Sequence, residues 1–145
     1  MYFYFAIYRE GTENILALEV LRLIEKYHVE QIFAAEMRDR LSAAQVLAGD
    51  DEKVTSWVEF VESKLSDLME RIEAVKSLSE ETQTYYTKKV AKQITDILES
   101  VTAVEAFVKS NRRQQAISEV FLQNLWKENE FQDSPLVLKY FDTIV

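Results

Sequence analysis

The chain has no cysteine, one histidine, one proline and two glycines among its 145 residues. Without cysteine there is no disulfide framework, no thiolate-held zinc, no iron–sulfur cluster and no thiol nucleophile. A Ser-His-Asp triad would have to use His28, and one histidine cannot build a His-rich metal site within a single chain. Gly11 and Gly49 stand alone, so neither a P-loop nor a dinucleotide-binding Gly-rich loop can be written. No catalytic residue, metal ligand or cofactor is therefore expected. No run of about 18 apolar residues offers a membrane span. The apolar opening, Met1 to Tyr8, lacks the basic flank and small-residue cleavage site of a signal peptide, and a cytoplasmic location is the expectation.

What the chain does have is apolar surface and acid. Apolar residues make up 48% and aromatics 12%. That is enough for one soluble globular domain spanning 1–145 to fold without staples. Acidic residues outnumber basic ones 25 to 17, a formal net charge of −8. A balance of that sign disfavours nucleic acid and anionic membranes, both of which are held by summed Lys/Arg contacts. Residues 81–115 are the exception, with six basic and four acidic groups.

Breakers are scarce and apolar residues recur at helical spacing from Thr12 onward, which predicts an all-α protein. Gly49 suits the position just past a helix end, and Asp50 can cap the next helix. From there Val54, Val58, Val61, Leu65, Leu68, Ile72 and Val75 recur with 4,3 spacing, the seam of an antiparallel coiled coil. Ser77 and Glu80 read as a capping box. A second helix repeats the seam at Val90, Ile94, Ile97, Val101, Val104 and Val108. The two form a long antiparallel hairpin from about Asp50 to Ser110 within a bundle of four to six helices. An earlier helix, apolar on more than one face (Ile15, Leu16, Leu18, Leu21, Ile24, Tyr27), reads as a central element with a bend near Tyr27-His28-Val29. A further helix follows Asn111, and Ser134-Pro135 reads as the start of a last short one. The aromatic run Met1 to Tyr8 is an N-terminal arm packed on the bundle, a short helix, or a strand that pairs with another chain.

Four constellations could carry chemistry. Glu25-x-x-His28 has the spacing of carboxylate-bridged metal centres in helical bundles, but such a centre needs a second copy of the motif. Arg22 and His28 resemble the Arg-x(4–6)-His motif of the HEPN class of dimeric helical ribonucleases. That resemblance implies RNA cleavage by those two residues, although on a regular helix a six-residue step turns them about 240° apart. Glu59-x-x-Glu62 and Asp96-x-x-Glu99 have the spacing with which helical pyrophosphatases hold magnesium, on positions outside the heptad seam. Tyr85, Tyr86, Lys88, Lys89 and Lys92 mix aromatics with cations, as do single-strand binders. Lys109, Arg112 and Arg113 read instead as complements to a helix C-terminal dipole.

The expected role is a non-enzymatic protein–protein interaction, adaptor or regulatory module, a small subunit of a larger assembly or a homodimer. Its interface candidates are Phe3, Phe5, Trp126 and Phe141, because exposed aromatics anchor interfaces. Three alternatives are carried. One is an acidic, immunity-like inhibitor that docks Glu59, Glu62, Asp67, Glu70 and Glu73 on a basic protein. Another is a helical subunit of a nucleoprotein complex that uses Lys88, Lys92 and Arg112 for anion binding. The last is the HEPN-like ribonuclease.

Overall fold

The computed structural model describes residues 15, 16 and 18–127. Among these there are five helices and no strand: α1 (residues 18–27, preceded by helical residues 15 and 16), α2 (Val29–Ala48), α3 (Glu52–Lys76), α4 (Glu80–Lys109) and α5 (Arg112–Leu125). The protein is an all-α bundle built on the α3–α4 hairpin, whose helices are about 37 and 45 Å long at 1.5 Å per residue. The Met1–Tyr8 arm, the Thr12 cap and the helix expected from Ser134-Pro135 lie outside the described residues. No described helix is long and apolar enough to cross a membrane.

The breaks between helices have local causes. His28 is left-handed, with φ +52°; its N–H donates to Ile24 O (3.1 Å) while its own carbonyl accepts from Gln31 N–H (3.0 Å). That single residue closes α1 and opens α2, which is the bend expected there. Gly49, at φ +62°, ends α2 by donating to Gln45 O at 3.1 Å. A residue without Cβ adopts this conformation at no steric cost. The α3 cap is Asp51 rather than Asp50: its Oδ1 accepts Lys53 N–H at 3.0 Å, and its carbonyl accepts both the N–H and the hydroxyl of Thr55.

The hairpin link also differs from the expected capping box. Ser77 finishes α3, its hydroxyl donating to Ala74 O at 2.8 Å, and Ser79 begins α4, its carbonyl accepting Gln83 N–H at 2.8 Å. Two serines thus divide the two jobs. Asn111 caps α5 by accepting Gln114 N–H at 3.0 Å. Arg112 and Arg113 therefore occupy the first turn of α5, at the positive end of its dipole, and do not complement a C-terminus as expected.

The described residues gather into two compact units, to each of which α2, α3 and α4 contribute. The first takes residues up to Glu36 with Ser63–Thr95; the second takes Met37–Glu62 with the residues from Asp96 onward. In the first, Leu65, Leu68, Ile72 and Val75 of α3 are buried with Ile24, Ala34 and Val90. In the second, Val54, Val58 and Val61 are buried with Met37, Leu41, Ala44, Ile97, Val104, Phe107 and Leu122. Every seam position expected on α3 is thus buried.

The buried face of α4 is broader than its apolar pattern. Val90, Ile97, Val101 and Val104 are buried as expected, whereas Ile94 and Val108 are only partly covered, and Thr87, Gln93, Ser100, Ala103 and Phe107 are buried instead. The inward row runs 90, 93, 97, 100, 104, 107. It admits polar residues because each finds a partner. Thr87 donates to Gln83 O (2.6 Å), and Ser100 donates to Asp96 O (2.7 Å) and accepts Trp126 Nε1–H (2.8 Å). Gln93 donates to Lys64 O at 3.3 Å.

Replacing Leu65, which is fully buried, with Ala is expected to cost about 2–5 kcal/mol. A Cβ at Gly49 meets nothing within 4 Å, so Gly49→Ala carries only the conformational penalty of a left-handed residue, about 1–2 kcal/mol. Urea unfolding midpoints at unchanged m-value measure both.

Candidate functional sites

In the first unit the buried row of α2 begins with a charge. Glu30, Ala34, Met37, Leu41 and Ala44 follow one another at 4,3 spacing, and all five are buried. The Glu30 Oε1 lies 3.4 Å from Lys76 Nζ and 3.8 Å from His28 Nδ1, while Oε2 is buried without a hydrogen-bond partner. Lys76 also donates to Glu73 at 2.8 Å. That hydrogen bond, with the added field of Glu30, holds the Lys76 ammonium above the usual lysine value against the desolvation that opposes it. A carboxylate enclosed in this way is stable only while its cation stays with it. The apolar spacing of α2 contained the signal: a glutamate at the head of a 4,3 row.

A second feature of the same unit is a cleft of about 460 Å³ lined by Arg71, Ala74, Val75 and Leu78 with Tyr86, Lys89 and Val90. Tyr85 and Tyr86 meet edge to face at 5.2 Å, and the Lys89 ammonium lies 4.8 Å from the Tyr85 ring centre and 5.6 Å from that of Tyr86. Arg71 was not singled out by sequence, since no motif marks it; its place follows from Gln93, which accepts its Nη1–H at 2.9 Å.

The second unit has a more open apolar groove of about 500 Å³ between α4 and α5, including Leu98, Ala103, Ala106, Ile117 and Phe121. Its helices are tied by polar contacts as well. Arg40 makes a two-point ion pair with Glu105, and Lys53 meets Glu119 at 3.2 Å.

The residues expected to act fall in either unit or outside the described residues. Trp126 is half-buried, its ring edge-on to Phe60 at 5.7 Å and its N–H given to Ser100, so its indole is engaged within the second unit. Phe3, Phe5 and Phe141 lie outside the described residues. Lys88 and Lys92 belong to the first unit and Arg112 to the second. Of the acidic α3 set, Glu59, Asp67, Glu70 and Glu73 are exposed and Glu62 is half-covered. Glu25 and His28 are both exposed, and no group of three or more His, Asp or Glu side chains that could hold a metal occurs among the described residues.

Arg22 forms an exposed two-point pair with Glu19, three residues before it, at 3.1 and 2.5 Å. This pair lowers the Glu19 carboxyl and raises the Arg22 guanidinium. Comparisons with protein-family models, with curated proteins and with solved structures found no match for this chain.

The largest departure concerns α1. Only Ile24 of its described residues is buried, whereas Ile15, Leu16, Leu18 and Tyr27 are at least half exposed. An apolar helix was expected at the centre of the bundle; one face of it packs, and the other is open.

Lys76→Met is expected to leave Glu30 enclosed without its cation and to cost of order 3 kcal/mol, while the Glu30→Met/Lys76→Met double variant recovers most of that loss. Because the Lys76 value is raised by folding, its contribution is full below the unfolded lysine value, about 10.4, and disappears as pH rises through the folded value. Urea unfolding at pH 7 and above pH 10 should show the Lys76→Met variant losing less stability to alkali than the parent.

Proposed function

We propose that the chain is a non-enzymatic interaction module, an adaptor or assembly subunit that docks on a protein partner or on a second copy of itself through α1. The exposed apolar side of α1 is the observation that supports this reading. Ile15, Leu16 and Leu18 are 69%, 58% and 50% exposed, and Ile32 at the start of α2 is 65% exposed. Burying side chains of this size is worth about 1.5–3 kcal/mol each. The exposed fractions of these side chains supply part of that gain towards the cost of association.

A second reading, the acidic inhibitor, draws on the outward row of α3. Asp67, Glu70 and Glu73 are exposed within about two helical turns on one helix. Such a row steers a basic protein more than it binds it. The apolar side of α1 serves affinity better.

The reading is tested by placing a photo-crosslinking residue at Leu18 and, as a control, at Asp67. A discrete adduct at Leu18, either with a second copy or with one partner, is expected, and it disappears when Leu16 is changed to Glu. Adducts equally abundant at Asp67, or a monomer that forms none at Leu18 in cells, would overturn it. Strong loss of a basic partner on reversing Asp67, Glu70 and Glu73 together would favour the second reading.

A further inference from the structure

The cleft between α3 and the N-terminal half of α4 combines three properties rarely found together on an acidic helical surface. Its volume, about 460 Å³, is within the range of sites that enclose small ligands. Its walls are aliphatic, supplied by Ala74, Val75, Leu78 and Val90. Its polar groups are two cations and a phenol, with no acidic side chain in the lining.

The cations are held rather than merely present. Gln93 is buried, donates its amide N–H to Lys64 O at 3.3 Å, and with its oxygen accepts the Arg71 Nη1–H at 2.9 Å. A buried amide that bonds both ways anchors the guanidinium at one nitrogen and leaves its remaining N–H groups for another acceptor. Lys89 is held against the faces of Tyr85 and Tyr86 at 4.8 and 5.6 Å. Carboxylates outnumber cations 25 to 17 in the chain. Yet among the described residues neither Arg71 nor Lys89 forms an ion pair with one.

We infer that this cleft binds a small amphipathic carboxylate, a fatty-acid-like anion whose head sits between Arg71 and Lys89 and whose hydrocarbon chain lies on Ala74, Val75, Leu78 and Val90. Two donors in a fork match the two oxygens of a carboxylate. The aliphatic walls reject a hydrated polyanion, which would leave its other charges unpaired against them. The site is independent of the α1 surface.

The probe is decanoate, titrated into the full chain and followed by amide chemical shifts and calorimetry, with 1-decanol as the uncharged comparison. Saturable binding is expected, with shifts centred on Ala74, Leu78, Tyr86 and Val90. Decanol should bind at least about tenfold more weakly, as should decanoate to Arg71→Met or Lys89→Met, the loss corresponding to one charge-assisted hydrogen bond. If Arg71→Met perturbs folding through Gln93, Lys89→Met and the cleft-filling Ala74→Trp keep the test intact. Ala74→Trp leaves both charges in place and should abolish binding. Equal affinity for decanol, shifts elsewhere on the chain, indifference to Lys89→Met, or an acidic amphipathic peptide that binds where decanoate does not would each overturn the proposal.

Discussion

Between Val54 and Val75 the chain places an apolar side chain at each inward position of α3, and all seven are buried. Each unit of the protein uses one half of that row. Since α3 runs unbroken through both, what differs between the units is what the other helices bring to it. In the first, α2 brings Glu30, which requires Lys76 of α3, and α4 brings Gln93, which holds Arg71. In the second, α4 and α5 bring Ser100 and Trp126, which close on each other and on Phe60. One apolar row with two different sets of polar fastenings gives the two units unlike surfaces.

The parts of this arrangement that were readable from sequence are those where apolar spacing or a backbone-specific residue decides. The α3 row, the end of α2 at Gly49, the bend at His28 and the start of α5 after Asn111 are of this kind. Caps were readable to within a residue or two, because Asp50 and Asp51, or Ser77 and Ser79, are chemically interchangeable until the preceding turn closes. The inward face of α4 was not readable. Thr87, Gln93 and Ser100 look like solvated positions when polarity alone is counted, and only their bonds to Gln83, Lys64, Asp96 and Trp126 make burial tolerable. Glu30 misleads in the same way.

The candidate sites were less readable than the fold. An apolar helix such as α1 carries the same composition whether its second face packs inside the chain or waits for something outside it, and spacing cannot separate the two cases. Lys89 and Tyr86 stood out as part of a basic, aromatic segment; Arg71 did not, since it becomes significant only when α3 and α4 lie side by side. Arg22 and His28 were marked by spacing alone, which does not carry their local bonding. Arg22 is engaged with the exposed Glu19, and His28 takes a left-handed backbone at the junction of α1 and α2.

Gln93 also bears on how the hairpin chooses its alignment. A valine-and-leucine seam repeats every seven residues, so α4 could slide along α3 by one repeat, about 10 Å, with aliphatic side chains still facing aliphatic side chains. Such a slip would carry the Gln93 oxygen away from the Arg71 guanidinium, a side-chain partner that the next repeat does not supply. With Thr87 and Ser100, Gln93 is one of the polar residues buried on this face, and its two contacts mark one alignment, as buried asparagines do in coiled coils. The described alignment is the one that gives Gln93 both of its partners.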